Sequence, residues 1–206
     1  MIKRLIYPFR FLLFFIKWRM RNGHNRTFAM NVFHGENVKV GIYTYGPMEV
    51  LYDNGHGKLT VGNYCSIARK VKFFLGGGHN YLKISTFPFL TKVYGGGRNT
   101  TKSEKVDIVV EDDVWIGFDC IIMPGSRIGK GSVIGARSIV KGNIPPYSVY
   151  VHNKVIKPRF TEEIIEKIKD IDFHQIRHQK GDSYHKFCNT ELTIENVDEI
   201  VKAFKE

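Results

Sequence analysis

From Val110 to Pro145 the chain repeats itself every six residues. Apolar side chains stand at Val110, Ile116, Ile122, Ile128, Ile134 and Val140. A small or β-branched residue follows each of them by four, at Val114, Cys120, Ser126, Ser132, Ser138 and Ile144. Glycine follows the apolar residue at Gly117, Gly129 and Gly135. Neither the 3.6 of a helix nor the 2 of an ordinary strand produces this spacing. A period of six belongs to a parallel β-helix, in which one hexapeptide makes a short side and a corner of a triangular coil. The apolar residue points inward, the small one fits the tight corner, and successive coils pair their backbone N–H and C=O groups. Six hexapeptides make two full coils. Short antiparallel strands with glycine turns account poorly for six repeats in phase.

The same period appears earlier in the chain. Val40, Gly41 and Thr44 read as one hexapeptide, and Val61, Ile67 and Phe73 resume it, with Cys65 and Val71 in the small position. Val40 and Val61 are 21 residues apart, three more than one coil, so an insertion is expected at the turn-forming DNGHG of residues 53–57. The repeat stops again after Phe73. Residues 74–109 between the two runs are too long for a simple connection, and Phe87, Pro88 and Phe89 are unlike a disordered linker. They predict an ordered excursion from one corner.

Beyond Pro145 the pattern becomes helical. Thr161 is placed to cap a helix with Glu162 and Glu163 in its first turn. Ile164, Ile165, Ile168 and Ile171 form one apolar face, and Ile194, Val197, Ile200, Val201 and Phe204 form that of a second helix. The chain thus divides into an apolar and basic segment (1–39), a β-helix (40–160) and a helical region (161–206). Residues 1–21 are apolar but carry six Lys and Arg. Their uninterrupted apolar run, Phe11 to Ile16, is far short of the ~20 residues a spanning helix needs. No small-residue cleavage site follows, which argues against a signal peptide. Two readings fit: a helix packed on the protein body, or one lying on an anionic membrane face.

The net charge of +11 suits an anionic partner, whether a phosphorylated cofactor, a nucleic acid or a membrane surface. Cys65, Cys120 and Cys188 are too few and scattered for a disulfide framework or metal site. Cys65 and Cys120 read as core residues because they occupy the small inward position. No His, Cys or carboxylate grouping has metal-ligand spacing.

Three motifs carry a resemblance: VGNYCSIA at 61–68, GGGHNYLKISTFPF at 76–89 and DVWIGFDCIIMPGSRIGKGSVIGARSIV at 113–140. With them the chain resembles the hexapeptide-repeat acyltransferases, and within these the xenobiotic acetyltransferase branch, which includes chloramphenicol, streptogramin and saccharide O-acetyltransferases. The resemblance implies an all-β core built as a left-handed parallel β-helix, with an extended loop excursion and C-terminal α-helices. It implies a homotrimer with sites between subunits, acetyl-CoA as acyl donor, and no metal in the chemistry. It places the general base at His79. Histidine suits that task, since its pKa lies near neutrality and a hydroxyl attacks well only as its proton is removed. Trp115, Gly117, Phe118, Ala136, Lys141, Lys154 and Lys157 fall at positions that contact the donor in the family. A backbone N–H near the Trp115–Gly117 segment is the expected oxyanion donor. His56 and Asn80 are candidate substrate contacts. The segment after Pro145 departs from the family pattern, being shorter and lacking its G-N-P-A.

The expected activity is O-acetylation of a saccharide of the capsule or lipopolysaccharide type. An antibiotic O-acetyltransferase and an amino-sugar N-acetyltransferase are the enzymatic alternatives, and a β-helix scaffold or polyanion-binding protein is the non-enzymatic one. The resemblance points to no nucleic-acid partner. It points to the cytoplasm, with peripheral contact at the inner membrane face through residues 1–21 as an open reading.

Overall fold

The computed structural model describes residues 2–53, 55–78, 81–96, 107–174 and 189–205. A helix, α1 (Ile2–Arg21), leads into a three-sided coil of short parallel strands. The first face stacks β2 (Val38–Val40), β4 (Leu59–Val61), β7 (Ile108–Val110), β10 (Arg127–Ile128) and β13 (Asn143–Ile144). The second stacks β1 (Arg26–Ala29), β3 (Tyr45–Leu51), β5 (Ser66–Ile67), β8 (Trp115–Ile116), β11 (Val133–Ile134) and β14 (Ser148–Val151). The third stacks the far end of β3, then β6 (Lys72–Phe74), β9 (Ile121–Ile122) and β12 (Ile139–Val140). The hexapeptide period is thus the geometry of a three-sided parallel β-helix, in keeping with the left-handed β-helix that the resemblance implies. The sheet also reaches back before residue 40, because β1 pairs in parallel with β3.

Every strand position expected to point inward does so. On the first face Val40, Val61, Val110 and Ile128 stack at one-coil intervals, and Ile116, Ile122, Ile134 and Val140 are fully buried on the other two. Each such side chain contributes about 1.5–3 kcal/mol by leaving water. The small positions fill the corners and satisfy carbonyls there. Thr44 Oγ donates to the Gly62 carbonyl at 2.7 Å, Ser126 Oγ to Val140 at 3.1 Å and Ser132 Oγ to Pro145 at 2.9 Å. Ile144 differs from its expected corner position. It pairs with Ile128 as a strand residue, because the corner at Gly142 (φ 80°) is two residues shorter than the corner one coil before it.

Both interruptions of the period lie at one corner, between the third and first faces. Leu51 ends β3 and Leu59 begins β4, so the insertion sits at 52–58 as the 21-residue spacing predicted. One coil later, the excursion leaves after Phe74 and returns at Ile108, with a short helix α2 (Phe89–Lys92) within it.

Each end of the coil is covered. At the start, Trp18 and Phe14 of α1 pack edge-on against Phe33, with ring centroids 5.2 and 4.8 Å away. At the other end, β15 (Lys154–Pro158) pairs antiparallel with β14 and closes the open strand edge. Then α3 (Glu162–Ile168), capped by the Thr161 side chain, and α4 (Val197–Lys205) bury Ile164, Ile168 and Val197 around Tyr147.

Two measurements check this packing. A methyl at Gly117 would sit 2.7 Å from the Ala136 nitrogen. Gly117→Ala therefore pushes two coils apart at a close backbone approach and should cost about 1–3 kcal/mol in a denaturant titration. Burial raises the Cys65 thiol from 9.0 to about 12 and the Tyr147 hydroxyl from 10.0 to about 12. The fold binds these protons more tightly than the unfolded chain does. Their stabilising contribution is full below the unfolded pKa values and is lost as pH rises from 9 towards 12. The melting temperature should fall across that window, and less steeply in Cys65→Ala.

Candidate active site

The second face carries a column of outward side chains, one per coil: Tyr45, Ser66, Trp115, Val133, Val149 and Lys157. Strands one coil apart lie about 4.8 Å from each other, so Trp115 and Lys157 stand about 14 Å apart. Trp115 is 56% exposed, while Val133 and Val149 are half-buried between it and the lysine. The column is therefore an apolar strip with an indole at one end and an ammonium at the other. Lys154 lies on the same terminal strand as Lys157, and every residue of that strand is exposed.

Beside the strip runs the corner between the second and third faces. Phe118 and Ala136 occupy equivalent positions there in adjacent coils, both exposed. Lys70 places its Nζ 5.2 Å from the Phe118 ring centroid. Asp119 sits between Lys72 at 3.6 Å and Arg137 at 4.0 Å. Lys70, Asp119 and Arg137 all adopt left-handed backbone, with φ of 64°, 59° and 60°. These basic residues were not singled out by the sequence reading. The signal was available in ARK at 68–70 and GAR at 135–137, which share a place in the coil, but the 74–109 excursion hides the equivalence.

The remaining expected positions fall elsewhere. Gly117 is buried, and the close approach of Ala136 explains the glycine. Of the N–H groups near the Trp115–Gly117 segment, two are already committed and leave the expected oxyanion donor to a neighbour of theirs. The Trp115 N–H donates to Ser132 at 3.0 Å and the Gly117 N–H to Ile134 at 2.8 Å, since both belong to the ladder between coils. Lys141 is exposed on the corner between the third and first faces, away from the Trp115 column. His56 is exposed in the inserted turn at that same corner, one coil from where the excursion departs.

His79 and Asn80 lie outside the described residues. Their flanks are described. Leu75 is buried and donates its N–H to Leu51 at 3.0 Å, and Gly77 (φ 92°) rests against the Tyr52 ring. A side chain at Gly77 would strike that ring, so glycine is needed where the excursion leaves the coil. Farther out, Tyr81, Leu82 and Tyr94 are more than 70% exposed. Among the other histidines, His34 faces a carboxylate: its Nδ1 is 3.1 Å from Asp53 Oδ2. The same carboxylate accepts the N–H groups of His34 at 2.6 Å and Gly55 at 2.9 Å. That pattern ties the inserted turn to the segment before β2. Cys65 and Cys120 are both buried and their thiols are pushed up by burial, which makes them core residues and poor nucleophiles.

Residues 107–142 match the family model described as bacterial transferase hexapeptide (six repeats). The chain is similar to a chloramphenicol acetyltransferase of Escherichia coli. The two are 34% identical over 158 residues, covering 66% of this chain and 74% of the relative. It is 38% identical over 136 residues to a probable macrolide acetyltransferase of Lysinibacillus sphaericus, covering 63% and 76%. It is also 33% identical over 129 residues to a putative lipopolysaccharide biosynthesis O-acetyl transferase of Escherichia coli strain K12, covering 61% and 60%.

Proposed function

Because this chain belongs to the hexapeptide-repeat acetyltransferases, we propose that it transfers the acetyl group of acetyl-CoA to a saccharide hydroxyl. The observation that carries this reading is the strip from Trp115 to Lys157. An apolar floor about 14 Å long with cations at its end suits a donor with a slender, mostly apolar arm and a phosphorylated end. Trp115 and Phe118 wall the arm, with Ala136 and the Gly117 backbone beside it. Lys154 and Lys157 take the phosphates, where charge-assisted hydrogen bonds are strongest. Lys70 and Arg137 add positive charge along the same edge.

His79 acts as the general base. Its imidazole removes the hydroxyl proton as the acceptor oxygen attacks the thioester carbonyl. The new C–O bond gives a tetrahedral intermediate. Its collapse breaks the C–S bond, and the departing thiolate takes the proton from the imidazolium. No acyl-enzyme forms, consistent with thiols held at raised pKa in the core. His56 and Asn80 contact the acceptor.

The protein works as a homotrimer. The excursion exposes Tyr81, Leu82, Phe87, Leu90 and Tyr94 in a single copy, and exposed apolar side chains gathered on one segment suit a contact with another chain. A neighbouring coil covers it, and Lys141, on a different corner from Trp115, joins the site from an adjoining copy. With acetyl-CoA as donor the reaction belongs to the cytoplasm, which holds that thioester. An antibiotic acceptor is the second reading, favoured by the two relatives named for chloramphenicol and macrolide acetylation.

Thiol release from acetyl-CoA should be followed with two acceptor panels, saccharides and hydroxylated antibiotics. Turnover with saccharides alone supports the first reading; turnover confined to antibiotics replaces it with the second. His79→Ala should lower kcat by about 10²–10⁴ while acetyl-CoA still raises the melting temperature. Undiminished turnover in that variant removes His79 from the mechanism. Trp115→Ala and Lys157→Ala should raise the KM for acetyl-CoA with little change in kcat, the mark of lost ground-state binding.

A further inference from the structure

The helix α1 has two apolar faces, and packing on the coil uses only one. Phe14 and Trp18 turn towards Phe33, with Phe11 and Phe15 half-buried alongside. Trp18 Nε1 donates to Thr27 Oγ1 at 3.3 Å, and Arg19 donates to the carbonyls of Thr27 at 2.6 Å and Asn25 at 3.1 Å. These bonds fix the rotation of the helix about its axis. At 100° per residue, Phe9, Leu12, Leu13, Ile16 and Met20 then fall together on the opposite side. All five are exposed, from 44% at Leu13 to 79% at Met20. Arg10 and Lys17, one heptad apart, border this stripe, and Arg21 continues their line. With Phe14 and Trp18 they line a groove of about 460 Å³ between α1 and the coil.

We infer that the outward face of α1 lies flat on an anionic lipid surface, with its five apolar side chains below headgroup level and Arg10, Lys17 and Arg21 among the lipid phosphates. Charge complementarity selects this occupant. The sequence of α1 contains no acidic residue, so apposing two such helices across a contact between copies would bring like charges together. A bilayer of anionic lipid offers the opposite sign along the whole border of the stripe. The helix docks without crossing, since among the described residues no helix is long and apolar enough to span a membrane. It sits on β1, and the order β1, β3, β5, β8 puts three steps of the second face between it and Trp115. The acetyl-transfer strip stays clear of the bilayer.

Co-sedimentation of the full chain with vesicles tests this, comparing phosphatidylcholine alone with phosphatidylcholine containing roughly one-third phosphatidylglycerol. The protein should partition onto the anionic vesicles and not the neutral ones, and less as salt screens the contact. Replacing Arg10 and Lys17 by Gln should weaken partition about fivefold for each charge removed. Phe9→Ser with Met20→Ser should abolish it, while acetyl transfer in solution and the melting temperature stay unchanged, because neither residue packs on the coil. Failure to partition overturns the proposal, as does equal binding to neutral vesicles. It is also overturned if the double serine variant changes the oligomeric state in light scattering while vesicle binding persists, since a second copy then covers the face.

Discussion

Each coil of this protein is hydrogen-bonded to the coils before and after it, and that pairing admits only one register. Gly41 N–H donates to Val61, Gly62 to Val110, Glu111 to Ile128 and Gly129 to Ile144, so one line of bonds threads the first face from end to end. A strand that slipped by one residue would turn its isoleucine to water and its charged neighbour to the core. Additions to the chain are therefore confined to corners. The offset of 49 residues between Val61 and Val110 is the same between Ile67 and Ile116 and between Phe73 and Ile122. The excursion of 74–109 leaves no trace in the register on any face. Its two ends flank a single corner, between the third and first faces, and what lies between them is not bound by the register.

The corners bear the cost of this geometry. Tyr43, Tyr64, Asp113, Gly131 and Tyr147 take the same place in five successive coils, and all have φ between 53° and 68°. Left-handed backbone costs a side-chain-bearing residue roughly 1–2 kcal/mol, so these positions need compensation. Part of it is ring contact: Tyr43 stacks on Tyr64 with centroids 5.5 Å apart, and Tyr64 meets Phe173 edge-on. Part is side-chain bonding between coils, with Asn63 Oδ1 accepting from Ile42 N–H at 3.0 Å and Asp112 Oδ1 from Asn63 N–H at 2.7 Å. At the neighbouring corner the same backbone turns Lys70 and Arg137 outward beside Phe118. The conformation that closes the triangle thus also sets the charge along the candidate donor strip.

Strand identity and burial were legible because they depend on period alone. Val110 through Val140 needed no more than counting, and the excess of three residues between Val40 and Val61 located an inserted turn. What escaped depended on backbone conformation or on which group a given N–H serves. Ile144 keeps the six-residue count on paper, yet a tight turn at Gly142 moves it from corner to strand. The N–H groups of Trp115 and Gly117 looked open for an oxyanion, but a strand flanked by two coils commits them to its neighbour. Lys70 is 49 residues from Asp119, and their equivalence emerges only when the excursion is removed from the count.

The two ends of the coil answer one problem in opposite ways. A parallel stack exposes an unpaired edge and an open core at each end, and both need covering. At the C-terminal end, β15 supplies the missing strand, and α3 and α4 turn Ile164, Ile168 and Val197 inward while their outer sides carry Glu163, Lys167 and Asp198, joined in ion pairs. That is the outer surface a cap needs in water. At the N-terminal end, α1 caps with Phe14 and Trp18, but its outer side is Phe9, Leu12, Leu13, Ile16 and Met20. Capping needs only one apolar side, and an unneeded second one costs solubility. Within a single chain, then, one cap turns joined charges outward and the other turns apolar side chains outward, although both bury the end of the same coil.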